Sequence, residues 1–294
     1  MWFFLQLLVQ GLAVGSVYSL IALGFVLIYK ASGVINFAQG ELLMLGAYAC
    51  LAFLTQAQLP FWAALGLTLV AMGLAALVLE RLVLRPLIGE PVISIIMATI
   101  GLAAVFKAAT AAAWGTQLRS FPPIFPEQPV KLGQVVISQV YIWTFLTAMA
   151  LMVAFALFFK FTRLGVAMRA TANSHQVALS MGISVKAIFA LSWCISAVVS
   201  AIGGVLIGSI NGVNITFSDF GLKVFPAVIL GGLDSIPGAV IGGLVIGILE
   251  NLSGGYLSQV FGGGVKEVAP FVFLVLILMV KPYGLFGTEE IERV

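Results

Sequence analysis

Long apolar runs, each about the length of a membrane-crossing helix, follow one another along this chain, separated by short stretches where charge, proline and glycine collect. A helix crosses a hydrocarbon core with roughly 20 apolar residues at a rise of about 1.5 Å each. On that measure Phe3 to Tyr29, Leu42 to Leu54, Phe61 to Leu79, Val92 to Trp114, Val140 to Phe159 and Ala187 to Ile210 read as spans. Val224 to Glu250 is also apolar but is broken by GGLDSIPG, Gly231 to Gly238, where proline and glycine oppose one continuous helix. It divides into a short segment ending near Leu233 and a helix from Pro237 to Leu252, and a last span follows from Val268 to Val280. The pattern predicts an all-α polytopic transmembrane helical bundle, one domain over residues 1–294, with about eight full spans plus one short or re-entrant segment. Gly11 and Gly15, Gly238 and Gly242, and Gly243 and Gly247 are small-xxx-small pairs, expected to let helices approach closely.

Composition agrees. Of 294 residues, 62% are hydrophobic and 9% charged, against roughly 25% charged in an average soluble domain. The net charge of +3 is too dispersed for a nucleic-acid footprint. The first apolar run has no basic residue before Lys30 and is too long for a signal peptide, so it reads as a permanent span. Basic residues are retained on the cytoplasmic side. Placing Lys30 inside, with the Val224 to Leu233 piece crossing, puts Arg81, Arg85, Lys160, Arg163, Arg169, Lys186, Lys281 and Arg293 inside with it, and leaves Arg119, Lys131, Lys223 and Lys266 outside; were that piece re-entrant, the carboxyl terminus would move outside, against Lys281 and Arg293. The longest external connection, Gly115 to Gln139, carries Pro122, Pro123, Pro126 and Pro129 and cannot be helical throughout.

Catalytic chemistry is not indicated. His175 has no neighbouring cysteine or carboxylate, and Cys50 and Cys194 lie far apart inside apolar runs, where they read as small buried hydrophobes. No cofactor or metal is expected. No phosphate loop ending in GK[ST] occurs, so any ATP-driven work must be done by a partner. A gradient-driven carrier, the competing reading, would need ionisable groups near the bilayer midplane. Only Lys107 qualifies within a span; it is a possible pathway residue, although its stem could instead reach toward the helix end at Trp114. Glu41, Glu80, Asp234 and Glu250 fall at predicted helix ends, where solvated or capping roles are expected.

Two segments interrupt the apolar background. In KASGVINFAQGE, Lys30 to Glu41, polar residues separate two spans; the segment is either an ordinary loop or irregular backbone lining a cavity. In LGVAMRATANSHQVALSMGISVKA, Leu164 to Ala187, residues Arg169 to Met181 can form a short amphipathic helix. Ala172, Val177, Leu179 and Met181 would make its apolar side, Ser174 and His175 its solvated side, and Gly182 its stop. Such a helix suits insertion into a partner's groove or rest on lipid headgroups.

These segments together resemble the permease subunits of the high-affinity branched-chain amino-acid ABC importers. ALGFVLIYKASGVINFAQGELLMLGAY is similar to that family's amino-terminal signature, with Asn36, Gln39, Gly40 and Glu41 in its loop, and RATANSHQVALSMGI to its cytoplasmic coupling segment. AVILGGLDSIPGAVIGGLVIGILE and KPYGLFG follow in the family's order. The resemblance implies a transport subunit of the bacterial inner membrane, not an enzyme, that forms the pathway for branched-chain amino acids or another small polar solute. The implied partners are a second homologous permease, two ATPase subunits, an external solute-binding protein and membrane lipid, with no nucleic acid. The coupling role would fall on Arg169, Ala170, Ala172, Leu179 and Gly182. Family members often carry acidic residues about where Asn173 and Ser174 stand here, so the implied ATPase contact rests on groove insertion. A gradient-driven carrier or channel for a solute such as urea would need no coupling helix.

Overall fold

The computed structural model describes residues 2–125, 128–132 and 135–287; Pro126 and Arg293 lie outside them. Each apolar run becomes a helix, because only a helix satisfies every backbone donor and acceptor within one segment surrounded by lipid. In chain order these are α1 (Trp2–Ser32), α2 (Gln39–Thr55), α3 (Phe61–Leu79), α4 (Val92–Trp114), α5 (Gln139–Phe161), α6 (Arg163–Asn173), α7 (His175–Ser180), α8 (Val185–Asn211), α9 (Asp219–Gly231), α10 (Ile236–Phe261) and α11 (Val265–Val280). Between α4 and α5 the described residues of the proline-rich connection are non-helical and carry an antiparallel pair, β1 (Val130–Leu132) and β2 (Val135–Ile137).

Among the described residues, six helices are long and apolar enough to cross a membrane: α1, α3 with its continuation to Leu87, α4, α5, α8 and α10. The other two expected spans are shorter, 17 residues in α2 and 16 in α11. The largest boundary difference is in α10, expected to stop at Leu252 and found to run to Phe261. Gly254 and Gly255, which look like a stop, sit inside the helix where a Cβ would meet the Lys266 stem and the Leu7 side chain. The expected Val224 to Leu233 segment is α9, which starts at Asp219 and contains Pro226. At 13 residues, or ~20 Å, it is too short to cross a bilayer alone.

Two compact units divide the chain. One comprises residues 1–26, 125–149 and 222–294. In it α1 meets α10 through the predicted glycines: a Cβ on Gly11 would lie 2.8 Å from Ile248 Cα, and one on Gly15 would lie 2.9 Å from the Gly243 carbonyl oxygen. Gly247 abuts Gly15 in return, and Gly243 abuts Ser19, whose hydroxyl donates to the Val240 carbonyl at 2.6 Å. Gly238 and Gly242 lie against Gly231 and Ala227 of α9. The GGLDSIPG break and the terminal KPYGLFG form one corner. The Leu285 and Phe286 N–H groups donate to the Leu230 and Gly231 carbonyls at 2.7 and 3.2 Å, filling acceptors that the end of α9 leaves open. Ser235 then starts α10 by accepting from the Gly238 N–H at 3.1 Å, with Pro237 in the first turn, where no N–H is needed.

The second unit comprises residues 27–124 and 150–221. Its centre is α8 packed on α2 and α3, with Ile28, Leu42, Met72, Trp193 and Ala197 in the core. Gly46 lies on Ala201, and Gly204 lies on the Leu43 carbonyl and Ala47, so α2 and α8 approach backbone to backbone. Val70, Leu74 and Val78 on α3 and Ile93, Met97 and Val105 on α4 are exposed, as side chains facing lipid are.

Candidate functional site

The signature loop is built into the second unit. After α1 ends at Ser32, the chain turns at Gly33 (φ 70°) and runs inward: the Phe37 N–H donates to Thr99 Oγ1 at 3.3 Å, ~10 Å along α4 from its first residue. Gln39 goes deeper. Its side-chain amide donates to Ser196 Oγ at 2.9 Å and Ser200 Oγ at 2.6 Å, and its carbonyl oxygen accepts from Asn36 Nδ2 at 3.1 Å. Ser196 and Ser200 lie ~16 and ~22 Å along α8, roughly halfway. Asn36 and Gln39 are fully buried, and Asn36 Oδ1 also accepts from the Ala38 N–H at 3.0 Å. The loop is therefore irregular backbone held inside the protein, and α2 begins near the middle of the helices it packs on.

Gly40 makes the next contact possible. A Cβ there would strike the Ser218 carbonyl, and Gly221 lies directly on the Gly40 backbone. The short 3-10 turn Ile215–Ser218 and the first residues of α9 are thereby brought against the first turn of α2. This sets Glu41, with 9% of its surface exposed, beside Ser218, Asp219 and Lys107. Lys107 Nζ lies 3.4 Å from Asp219 Oδ1. Glu41 is therefore buried, not solvated at a helix end, and Lys107 has a charged partner, Asp219, on another helix. Asp219 carried no signal in the sequence, since its partner is 112 residues away.

The coupling segment differs from the single helix expected over Arg169 to Met181. It is broken at Ser174, which is extended (φ −161°, ψ 117°) and accepts from the Val177 N–H at 3.3 Å, closing α6 and starting α7. A serine ahead of HQV is a helix-start signal that was legible. Gly182 does end the segment, with φ 78°, and the Ile183 N–H returns to the Ala178 carbonyl at 2.9 Å. The expected apolar side is split. Val177, Leu179 and Met181 are exposed, whereas Ala172 is half-buried and faces Lys30, Met168 and Ser192. Arg169 is exposed, Ala170 half-buried. His175, expected to be solvated, is exposed, and it also contacts the Ala31 carbonyl through Nε2 at 3.1 Å and sets its ring edgewise on Phe189. It also lines a cavity of about 200 Å³ with Asn36, Glu80, Thr99 and Trp193.

Glu80 and Glu250 are also buried, against expectation. Arg85 grips Glu80 through Nη2 and Nε at 2.8 and 3.1 Å, a bidentate pair that keeps the acid within the fold. Glu250 lies well inside α10, because that helix is longer than its apolar run, and it faces Tyr18 of α1. Among the described residues no His, Cys, Asp and Glu group could hold a metal ion; Cys50 is buried and Cys194 partly so.

Comparison with known proteins extends this picture. The family model for "branched-chain amino acid transport system / permease component" matches residues 7–281. The high-affinity branched-chain amino acid transport system permease protein LivH of Escherichia coli K12 is 34% identical over 99% of this chain and 98% of its own length. The permease protein BraD of Pseudomonas aeruginosa is 33% identical with the same coverage. A solved structure described as PsaBC from Streptococcus pneumoniae in complex with Fab aligns over 96% of this chain and 93% of that one, with a TM-score of 0.54 and 13% identity, a likeness of fold alone.

Proposed function

This chain belongs to the family of permease components of branched-chain amino acid transport systems, and we propose that it forms, as one transmembrane domain, the solute pathway of an ATP-driven importer for branched-chain amino acids. It is a multi-pass membrane transport subunit, not an enzyme. The proposed setting is a bacterial inner membrane. The proposed assembly has a second homologous permease, two ATPase subunits and an external solute-binding protein.

The observation that carries this reading is the exposed trio Val177, Leu179 and Met181 on the α7 turn, at 62, 59 and 77% of full exposure. The side chains stand off a short helix firmly closed at both ends by Ser174 and Gly182, the shape of a rigid knob for a partner's groove. An ATPase subunit is its proposed occupant, with Arg169 and Ala170 at the rim and Gly182 setting the knob's end. Ala172 faces inward and supports the knob. His175 holds it to the end of α1 through Ala31 and so offers a route from the ATPase to the signature loop.

Leu179→Asp and Met181→Asp are expected to lower uptake by at least about tenfold, because burying an unpaired carboxylate in a groove costs several kcal/mol. Ala172→Asp, beside Lys30 and Arg169, should cost less. Uptake and ATP hydrolysis in proteoliposomes containing the whole assembly measure both. Normal uptake by both knob variants would remove the coupling role. The charged group at Glu41, Lys107 and Asp219 would also serve a gradient-driven carrier. The chain alone in liposomes under proton and sodium gradients separates the two readings; concentrative uptake without ATPase subunits would overturn the importer reading.

A further inference from the structure

Resting on the amino-acid reading above, we propose that Glu41, Lys107 and Asp219 form a site in the pathway that reads both charges of a zwitterionic solute. The ammonium group of the passing amino acid sits against the Glu41 and Asp219 carboxylates, while its carboxylate takes the Lys107 ammonium from Asp219.

Position is the first support. Lys107 lies ~22 Å from the start of α4 and ~10 Å from its end, inside a helix long and apolar enough to span. Yet the Lys107 and Asp219 side chains retain 41% and 53% of their full exposure. A charged pair left open at that depth is not tolerated against lipid and belongs on a water-filled or protein-lined route. Elsewhere on α4 the exposed residues Met97 and Val105 are apolar.

The second support is the arrangement of charge. Two carboxylates share one lysine. Among the described residues, Glu41 makes no ion pair within 4.0 Å. An amino acid's ammonium group gives Glu41 and Asp219 a cation of their own, and its carboxylate replaces Asp219 at Lys107; the solute is neutral as a whole, so the net charge of the group is unchanged. The Lys107 to Asp219 distance of 3.4 Å is longer than the ~2.7 to ~2.9 Å of a strong charge-assisted bond.

The third is rigidity. Glu41 and Asp219 sit on the first turns of two short helices, α2 and α9, whose starts touch through Gly40 and Gly221. Gln39, next to Gly40, is pinned to Ser196 and Ser200. Interrupted helices meeting inside a membrane protein place fixed partial charges and acids where a polar solute must pass.

The test uses the whole importer in proteoliposomes, with radiolabelled leucine and its binding protein, reading uptake and ATP hydrolysis in the same vesicles. Lys107→Met, Asp219→Asn and Glu41→Gln are each expected to lower leucine uptake by at least about tenfold while stimulated ATP hydrolysis stays within about twofold. The double variant Lys107→Asp with Asp219→Lys restores an ion pair but reverses the field. It is expected to remain defective, whereas a merely structural pair would recover. Assembly is checked by copurification with the ATPase. Asp219→Asn and Glu41→Gln, which keep side-chain shape, carry the test if Lys107→Met does not assemble. Wild-type leucine uptake with unchanged single variants, or full recovery in the double variant, overturns this inference alone. Wild-type uptake confined to an uncharged solute overturns the amino-acid reading and this inference with it.

Discussion

Gly247→Leu is expected to abolish recovery of folded protein. Gly247 lies directly on the Gly15 backbone, with the Gly11 carbonyl close by, so an added side chain meets the main chain of α1 at two successive turns. Overpacking a well-filled site costs ~1 to ~3 kcal/mol where neighbours can yield, and here the neighbours are backbone of a second helix. Separating α1 from α10 would also strip Ser19 of its bond to the Val240 carbonyl and uncover Glu250 and Tyr18. The control is Gly101→Ala, at a helical position where a Cβ meets nothing within 4 Å. The measurement is the fraction eluting as a single species in detergent, with its melting temperature. Wild-type melting of Gly247→Leu would show that α1 and α10 do not approach this closely.

Gln39→Leu should lower stability by ~2 to ~3 kcal/mol. Its amide group makes bonds to Asn36, Ser196 and Ser200, and side-chain bonds inside membrane proteins average ~0.6 kcal/mol, with a maximum near ~1.7. The rest of the loss comes from leaving polar partners buried without Gln39. The triple variant with Ser196→Ala and Ser200→Ala should therefore be more stable than the single one, because removing both sides of a buried bond is nearly neutral. Thermal unfolding in detergent reports both. A triple variant less stable than the single would mean that the hydroxyls contribute independently of Gln39.

Hydrophobic runs made the helices legible to within a few residues wherever charge or proline bounded them, as at Phe61–Leu79 and Val92–Trp114. The glycine pairs were legible as packing surfaces for the same reason: their spacing puts them on one helical side. Depth was not legible. Nothing in KASGVINFAQGE states that Gln39 lies against the middle of α8, because apolar length gives the extent of a helix and not the level of a loop beside it. Lys107 and Glu41 each stood out, but their meeting depends on a contact between Gly40 and Gly221, 181 positions apart in number and without local pattern. Ser174 is the opposite case. A helix-start residue was present in the sequence and was overridden by the apolar spacing of Val177 and Leu179, which does not continue that of Ala172.

The bond from Ser19 to Val240 joins residues 221 positions apart, and it has a consequence in time. At ~5 to ~20 residues per second of synthesis, the first helix enters the membrane roughly 10 to 45 s before the helix that covers its glycine side exists. During that interval Gly11 and Gly15 lack the α10 backbone that lies against them in the finished protein. The earliest part of the chain is thus among the last to reach its final surroundings, and the Leu285 and Phe286 clasp on α9 comes later still. A ribosome that stalls before residue 240 leaves a membrane-inserted first helix without that cover, a mark by which an unfinished copy can be told from a finished one.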